Sequence, residues 1–188
     1  MNGTKAKGAV IMTQEEIRSF VKRYKVAIYK QDPTKLQALF AENDNKARQQ
    51  LKDNKPEILA YLQEQKAIEE AREARKASIE ETSGYLMIEK SISEYNAYHA
   101  KFERAMESGS GVFPASPKIA NPDEMRKQYP VGAAYATMKS NTYSANSSKC
   151  AIYKMALENI YDGADIMATY EAAGKEWDKE AERLTWND

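Results

Sequence analysis

The chain has 188 residues, of which 42% are hydrophobic, and its 28 basic side chains balance its 28 acidic ones. This composition is typical of a globular protein, and the zero net charge argues against a nucleic-acid binder that works through bulk positive charge. The single cysteine excludes an internal disulfide, and no stretch approaches the roughly 20 apolar residues that a membrane span needs. We therefore expect a cytoplasmic protein.

The N-terminal region begins with a helix signal and continues with a strand signal. Thr13 and Glu16 have the spacing of a capping box, which predicts a helix that turns Ile17 and Phe20 inward. Apolar and polar residues then alternate over residues 24–29, as in a short strand. Residues 1–11, before this helix, are expected to be either a loose leader or a non-native remnant that precedes a natural start at Met12.

Residues 31–42 leave two interpretations open. Asp32-Pro33 is a turn signal, and the following residues 36–40 fit either a return strand or a helical turn. Pro56 then stands in the first turn of another helix, whose apolar residues include Ile58 and Leu62. Together these elements predict a small N-terminal α/β or helical module over residues 1–62.

A long polar helix follows. Residues 63–81 contain strong helix formers and few large apolar side chains, and Lys76 and Glu80 stand one helical turn apart. A break at Gly84 ends the pattern. We interpret residues 63–84 as an exposed helix that connects two domains and has a solvated surface.

Residues 85–188 predict a C-terminal helical bundle, so the expected fold is mainly α. The last helix has one apolar stripe that includes Tyr170 and Trp177. Residues 131–161 are helical at both ends, and their small polar middle, residues 140–149, is either a kink or a close helix contact. The first helix of the bundle carries a second stripe at three- and four-residue steps, formed by Ile88, Ile92, Tyr95, His99, Phe102 and Met106.

The chain shows no pattern for catalysis, metal binding or a cofactor. One histidine and one cysteine cannot supply a four-ligand metal site. His99 lies on the apolar stripe, where a satisfied core residue is expected. No activating pattern surrounds Cys150, so a Cys150–His99 dyad is not favoured.

Surface features therefore carry the functional prediction. Twelve tyrosines are many for this length, and tyrosine is enriched at interfaces, although most are expected to line the core. The acids near the C-terminus form either a phosphate-like surface or a solvated one. A small basic patch comprises Lys22, Arg23, Lys25, Lys30 and Lys35, of which the first four are the candidate nucleic-acid contacts. The candidate partner-binding residues are Tyr129, Tyr143, Tyr161, Asp162, Asp165, Glu171, Glu176 and Asp178.

Three stretches carry a resemblance to known proteins: LKDNKPEILAYL at residues 51–62, KQYPVGAAY at 127–135 and WND at 186–188. The first resembles a small module that is similar to docking domains of peptide synthetases. In this order and around a charged helix, the three resemble a family of small proteins from gut bacteria and their prophages. Some members of that family are anti-CRISPR proteins that inhibit Cas9.

The resemblance implies a non-enzymatic inhibitor in the cytoplasm of a host bacterial cell. Its expected partner is a Cas9-type ribonucleoprotein effector in its guide-loaded form, whose DNA binding or cleavage it would block. The alternative is a docking or adaptor protein of a phage or mobile element with a different partner. Polar helices such as residues 63–81 sometimes pair between chains, so a homodimer is an alternative to a monomer.

Overall fold

The computed structural model describes residues 11–109 and 111–185. The predicted terminal motif at 186–188, and the predicted leader apart from Ile11, lie outside these residues. Helices dominate the described part of the chain, which confirms the mainly α fold. The elements are α1 (Gln14–Tyr24), β1 (Ala27–Ile28), β2 (Leu36–Gln37), α2 (Asn45–Asp53), α3 (Lys55–Thr82), α4 (Tyr85–Ser108), α5 (Pro122–Gln128), α6 (Pro130–Asn141), α7 (Ser147–Tyr161) and α8 (Ile166–Thr185).

The chain divides into two compact units, and the division falls inside α3. The N-terminal unit ends at Ala71 and the C-terminal unit begins at Arg72. Residues 63–71 of α3 are exposed, as predicted for a polar helix. From Arg72 onward the same helix belongs to the C-terminal unit, where Ile79 is buried in the core.

The N-terminal unit begins with the predicted capping box. The Glu16 amide donates to the Thr13 hydroxyl, and the Thr13 amide donates to the Glu16 carboxylate at 2.8 Å. These bonds satisfy amide groups that the first helical turn leaves without partners. Helix α1 buries Ile17 and Phe20, and they form a core with Val26, Ala47 and Ile58.

A short antiparallel hairpin settles the open question at residues 31–42. Strand β1 pairs with β2, with Ala27 opposite Gln37. Asp32 forms the turn, because its carboxylate accepts hydrogen bonds from the amide and hydroxyl of Thr34. The segment that follows Asp32-Pro33 is therefore a return strand and not a helical turn.

Helix α6 lies at the centre of the C-terminal unit. Tyr135 and Met138 are fully buried, and they pack in one core with Tyr153 and Ile160 of α7. Helix α8 adds its predicted stripe, of which Ala173 is buried. Burial of large apolar and aromatic side chains is the main source of stability in such a bundle.

The turn between α3 and α4 presses directly onto α6 at Gly132. A Cβ atom at this glycine would lie 2.7 Å from the Ser83 carbonyl oxygen and 2.7 Å from the Tyr85 nitrogen. Only a residue without a side chain permits this approach of the two backbones. Gly84, in the turn itself, has a φ of 82° in the left-handed region that favours glycine.

Two predictions for the bundle need correction. Residues 142–146 are not helical and separate α6 from α7, and Asn146 caps α7 by accepting a bond from the Lys149 amide. The stripe on α4 is buried only near its start, at Ile88, whereas His99 and Met106 are exposed. No described element covers this half of α4 closely enough to bury those side chains.

Candidate interaction surfaces

The end of α4 and the segment after it present apolar side chains at the surface. Phe113 packs against Phe102 with a distance of 5.1 Å between ring centroids, yet it stays 50% exposed. Met106 stands one turn after Phe102 and is 59% exposed, and Val112 is 76% exposed. We call Phe102, Met106, Val112 and Phe113 the α4-end cluster. Contiguous exposed apolar patches are where proteins bind partners, so this cluster is a candidate surface for protein–protein contact.

Aromatic side chains extend the α4-end cluster back along the helix. Tyr98 lies 6.1 Å from Phe102, and His99 lies 5.4 Å from Tyr98, measured between ring centroids. His99 is thus an exposed member of an aromatic row and not a core residue as predicted. Sequence reasoning missed this surface because it placed Met106 and Phe102 inside the bundle. A usable signal was the apolar pair Val112-Phe113 next to Gly111 in a loop.

The three predicted interface tyrosines have different environments. Tyr143 is 85% exposed on the loop between α6 and α7 and is free to contact a partner. Tyr129 packs its ring against Gly84, so closely that a side chain at Gly84 would collide with it. The Tyr161 hydroxyl lies 3.0 Å from the Tyr135 hydroxyl and takes part in a network inside the unit. The structure therefore does not bring these tyrosines together.

Two of the predicted acidic residues hold the unit together. Asp162 receives two hydrogen bonds from the Arg72 guanidinium, at 2.6 and 2.7 Å, and these bonds lower the pKa of its carboxyl group. Asp165 precedes α8 and accepts a bond from the Ala168 amide at 2.8 Å, as a helix cap does.

The other three predicted acids are exposed on α8. They are Glu171, Glu176 and Asp178. Lys175 and Lys179 alternate with them along the helix, so this surface carries both signs of charge. A mixed surface of this kind is a poor imitation of a nucleic-acid backbone, which has a uniform charge.

The predicted basic residues Lys22, Arg23, Lys25 and Lys30 are all exposed in the N-terminal unit. Arg23 also lies over the ring of Tyr24, 5.3 Å from its centroid. Lys25 ends α1 in a left-handed conformation with a φ of 47°.

A polar network that the sequence did not reveal links α3, α4, α6 and α7. The Lys139 ammonium donates to Glu80 at 2.8 Å and to the Tyr85 hydroxyl at 3.0 Å. Burial opposes the charge on Lys139, but these two bonds outweigh it and raise its pKa. Burial, together with the Tyr161 hydroxyl and Glu80, raises the pKa of Tyr135. Lys139 therefore stays charged and Tyr135 stays neutral over the ordinary pH range, and both side chains stabilise the packing of these helices.

Cys150 carries the one thiol of the chain. The Cys150 thiol donates to the Thr142 carbonyl oxygen at 3.0 Å. A cavity of about 290 Å³ beside Tyr129 is lined by eight residues that include no carboxylate, imidazole or thiol. Over residues 11–109 and 111–185, no three histidine, cysteine or acidic side chains form a group that could hold a metal ion.

Comparison of the chain with protein-family models, with curated proteins and with solved structures found no match. Among the helices that the structure describes, none combines the length and apolarity that a membrane-crossing segment requires.

Proposed function

We propose that this protein acts without catalysis, by binding another macromolecule through the α4-end cluster. The observation that supports this proposal is the exposure of Met106, Val112 and Phe113 around a packed pair of phenylalanine rings. Removing apolar surface from water contributes about 25 cal/mol of favourable free energy for every Å² that is covered. A partner with a complementary apolar surface would recover that free energy.

The partner that we propose is a guide-loaded Cas9-type effector in the cytoplasm of the host cell. This choice rests on the sequence resemblance at residues 51–62 and 127–135. Binding would block DNA loading or cleavage by occupying a surface of the effector. Tyr143, exposed on a different loop, is a candidate for a secondary contact.

A cleavage titration tests this proposal. Increasing amounts of the protein are added to guide-loaded Cas9 from several orthologues before target DNA, and the cleaved fraction is measured. The matched variants are Met106→Gln, in the α4-end cluster, and Met155→Gln, on α7; the two methionines are 59% and 62% exposed. We expect inhibition that weakens at least tenfold in Met106→Gln and is unchanged in Met155→Gln. Complete cleavage at large molar excess with every orthologue would refute the choice of partner.

One observation favours a second candidate, an adaptor that works through the N-terminal unit. In the described residues, β1 and β2 form a sheet of only two strands, so each strand has one unpaired edge. An extended peptide can add to such an edge through backbone hydrogen bonds. The Met106→Gln variant separates the two candidates. An adaptor that works through the hairpin edge would still bind its partner when the α4-end cluster is altered.

A further inference from the structure

A polar groove lies between α1 and α3 in the N-terminal unit. It has a volume of about 330 Å³, and it is lined by Gln14, Glu15, Arg18, Tyr61 and Gln65. These side chains offer hydrogen-bond donors, acceptors and an aromatic ring within one groove. The function proposed above makes no use of them.

A row of cations continues from this groove along α1. Arg18 and Lys22 lie four residues apart on α1, which places them on one side of the helix, and Lys25 follows as the residue that ends the helix. The step from Arg18 to Lys22 rises about 6 Å along the helix axis, or about two stacked nucleotides. All three are exposed, and within residues 11–109 and 111–185 they form no ion pair, whereas Lys35 nearby is paired with Asp32.

We propose that this groove and the cation row bind single-stranded RNA. The cations would contact successive phosphates, while Tyr61 and the two glutamines contact a base and its ribose hydroxyl. An acidic peptide fits less well, because it would use only the cations and would meet the negative charge of Glu15. Carboxylates do accept hydrogen bonds from base amino groups, so Glu15 has a use with RNA.

This inference goes beyond the proposed function, because it requires no effector protein. It also changes which residues belong to the basic patch expected from the sequence. Arg18 joins the site because it lines the groove, which Arg23 does not. The contact is local, which is compatible with a chain whose net charge is zero.

Fluorescence anisotropy with the full-length protein and a labelled 10-nucleotide RNA of mixed sequence tests the inference. We expect the logarithm of the binding constant to fall with the logarithm of salt concentration with a slope of about −2, as three phosphate contacts give. The double variant Arg18→Gln/Lys22→Gln should bind at least tenfold more weakly, with a slope reduced by about 1.4. The control Lys46→Gln/Lys52→Gln removes the same charge from exposed positions on α2 and should leave both values unchanged.

A second variant separates base contact from charge. Tyr61→Leu keeps an apolar side chain against the core and removes the ring, so the affinity should fall about fivefold or more while the salt slope stays the same. Gln14→Ala/Gln65→Ala serves if that variant unfolds, as judged by circular dichroism. Three results would overturn the inference: no RNA binding at low salt, equal losses in the α2 control, or tighter binding of single-stranded DNA. Equally tight binding of polyglutamate would also overturn it and assign the surface to an acidic peptide.

Discussion

Replacing Gly132 with alanine tests how tightly the α3–α4 turn is seated on α6. The added methyl group would lie 2.7 Å from two backbone atoms, the Ser83 carbonyl oxygen and the Tyr85 nitrogen, which cannot rotate away. Overpacking of a filled site costs about 1–3 kcal/mol, and the better helix propensity of alanine offsets about 1 kcal/mol. Because the contact is with backbone, the overpacking cost should lie at the upper end of its range, and we expect a net loss of about 2 kcal/mol in the free energy of unfolding.

Gly174 provides a matched control within the same unit. It also lies in a helix, but a Cβ atom there would meet no other atom within 4 Å. Gly174→Ala should therefore stabilise the unit by up to about 1 kcal/mol through helix propensity alone.

Urea unfolding followed by tryptophan fluorescence measures both variants. Trp177 packs against the core of the C-terminal unit, so its fluorescence reports the unfolding of this unit. The two variants should move the unfolding midpoint in opposite directions. A Gly132→Ala protein at least as stable as the wild type would refute the close approach of the turn to α6.

Three further predictions concern a helix cap, the polar network and acid stability. Thr13→Ala removes the capping box and should destabilise α1 by about 1 kcal/mol, seen as faster hydrogen exchange in α1; unchanged exchange would contradict it. Glu80→Gln leaves the Lys139 ammonium without its charged partner in a half-buried site. The free energy of unfolding should fall by about 1–2 kcal/mol, a value between those of surface and buried ion pairs, and a loss below about 0.3 kcal/mol in urea unfolding would count against the network. The hydrogen bonds from Arg72 hold the pKa of Asp162 below its ordinary 3.8, so this carboxylate stabilises the unit above that pH and the contribution is lost as pH falls through the lower folded value. Asp162→Asn should therefore make urea stability depend less on pH between about 5 and 2, and an unchanged pH profile would contradict this reasoning.

Local signals predicted the parts of the fold that local physics controls. The capping box needs only Thr13 and Glu16, and both of its bonds form as expected. The apolar stripe of α8 is covered along its length because one face of the helix packs on α6 and α7. Residues 31–42 were ambiguous because each strand of the hairpin contains only two residues, too few for a clear alternation.

The errors arose where a distant partner decides the outcome. Periodicity shows that one side of α4 is apolar, but it does not show whether another element covers Met106. Lys76 and Glu80 have the spacing of an intrahelical pair, yet Glu80 bonds to Lys139 of α6 and Lys76 pairs with Glu73. Asp162 looked like a surface acid for the same reason, because its partner Arg72 lies 90 residues away.

Hydrogen exchange on the complex with guide-loaded Cas9 tests the central claim, that the α4-end cluster is the partner-binding surface. We expect binding to slow exchange in the C-terminal half of α4 and in residues 111–113. Exchange around Met155, an equally exposed methionine on α7, should not change. A stable complex in which protection appears only elsewhere, for instance on the hairpin of the N-terminal unit, would contradict the claim.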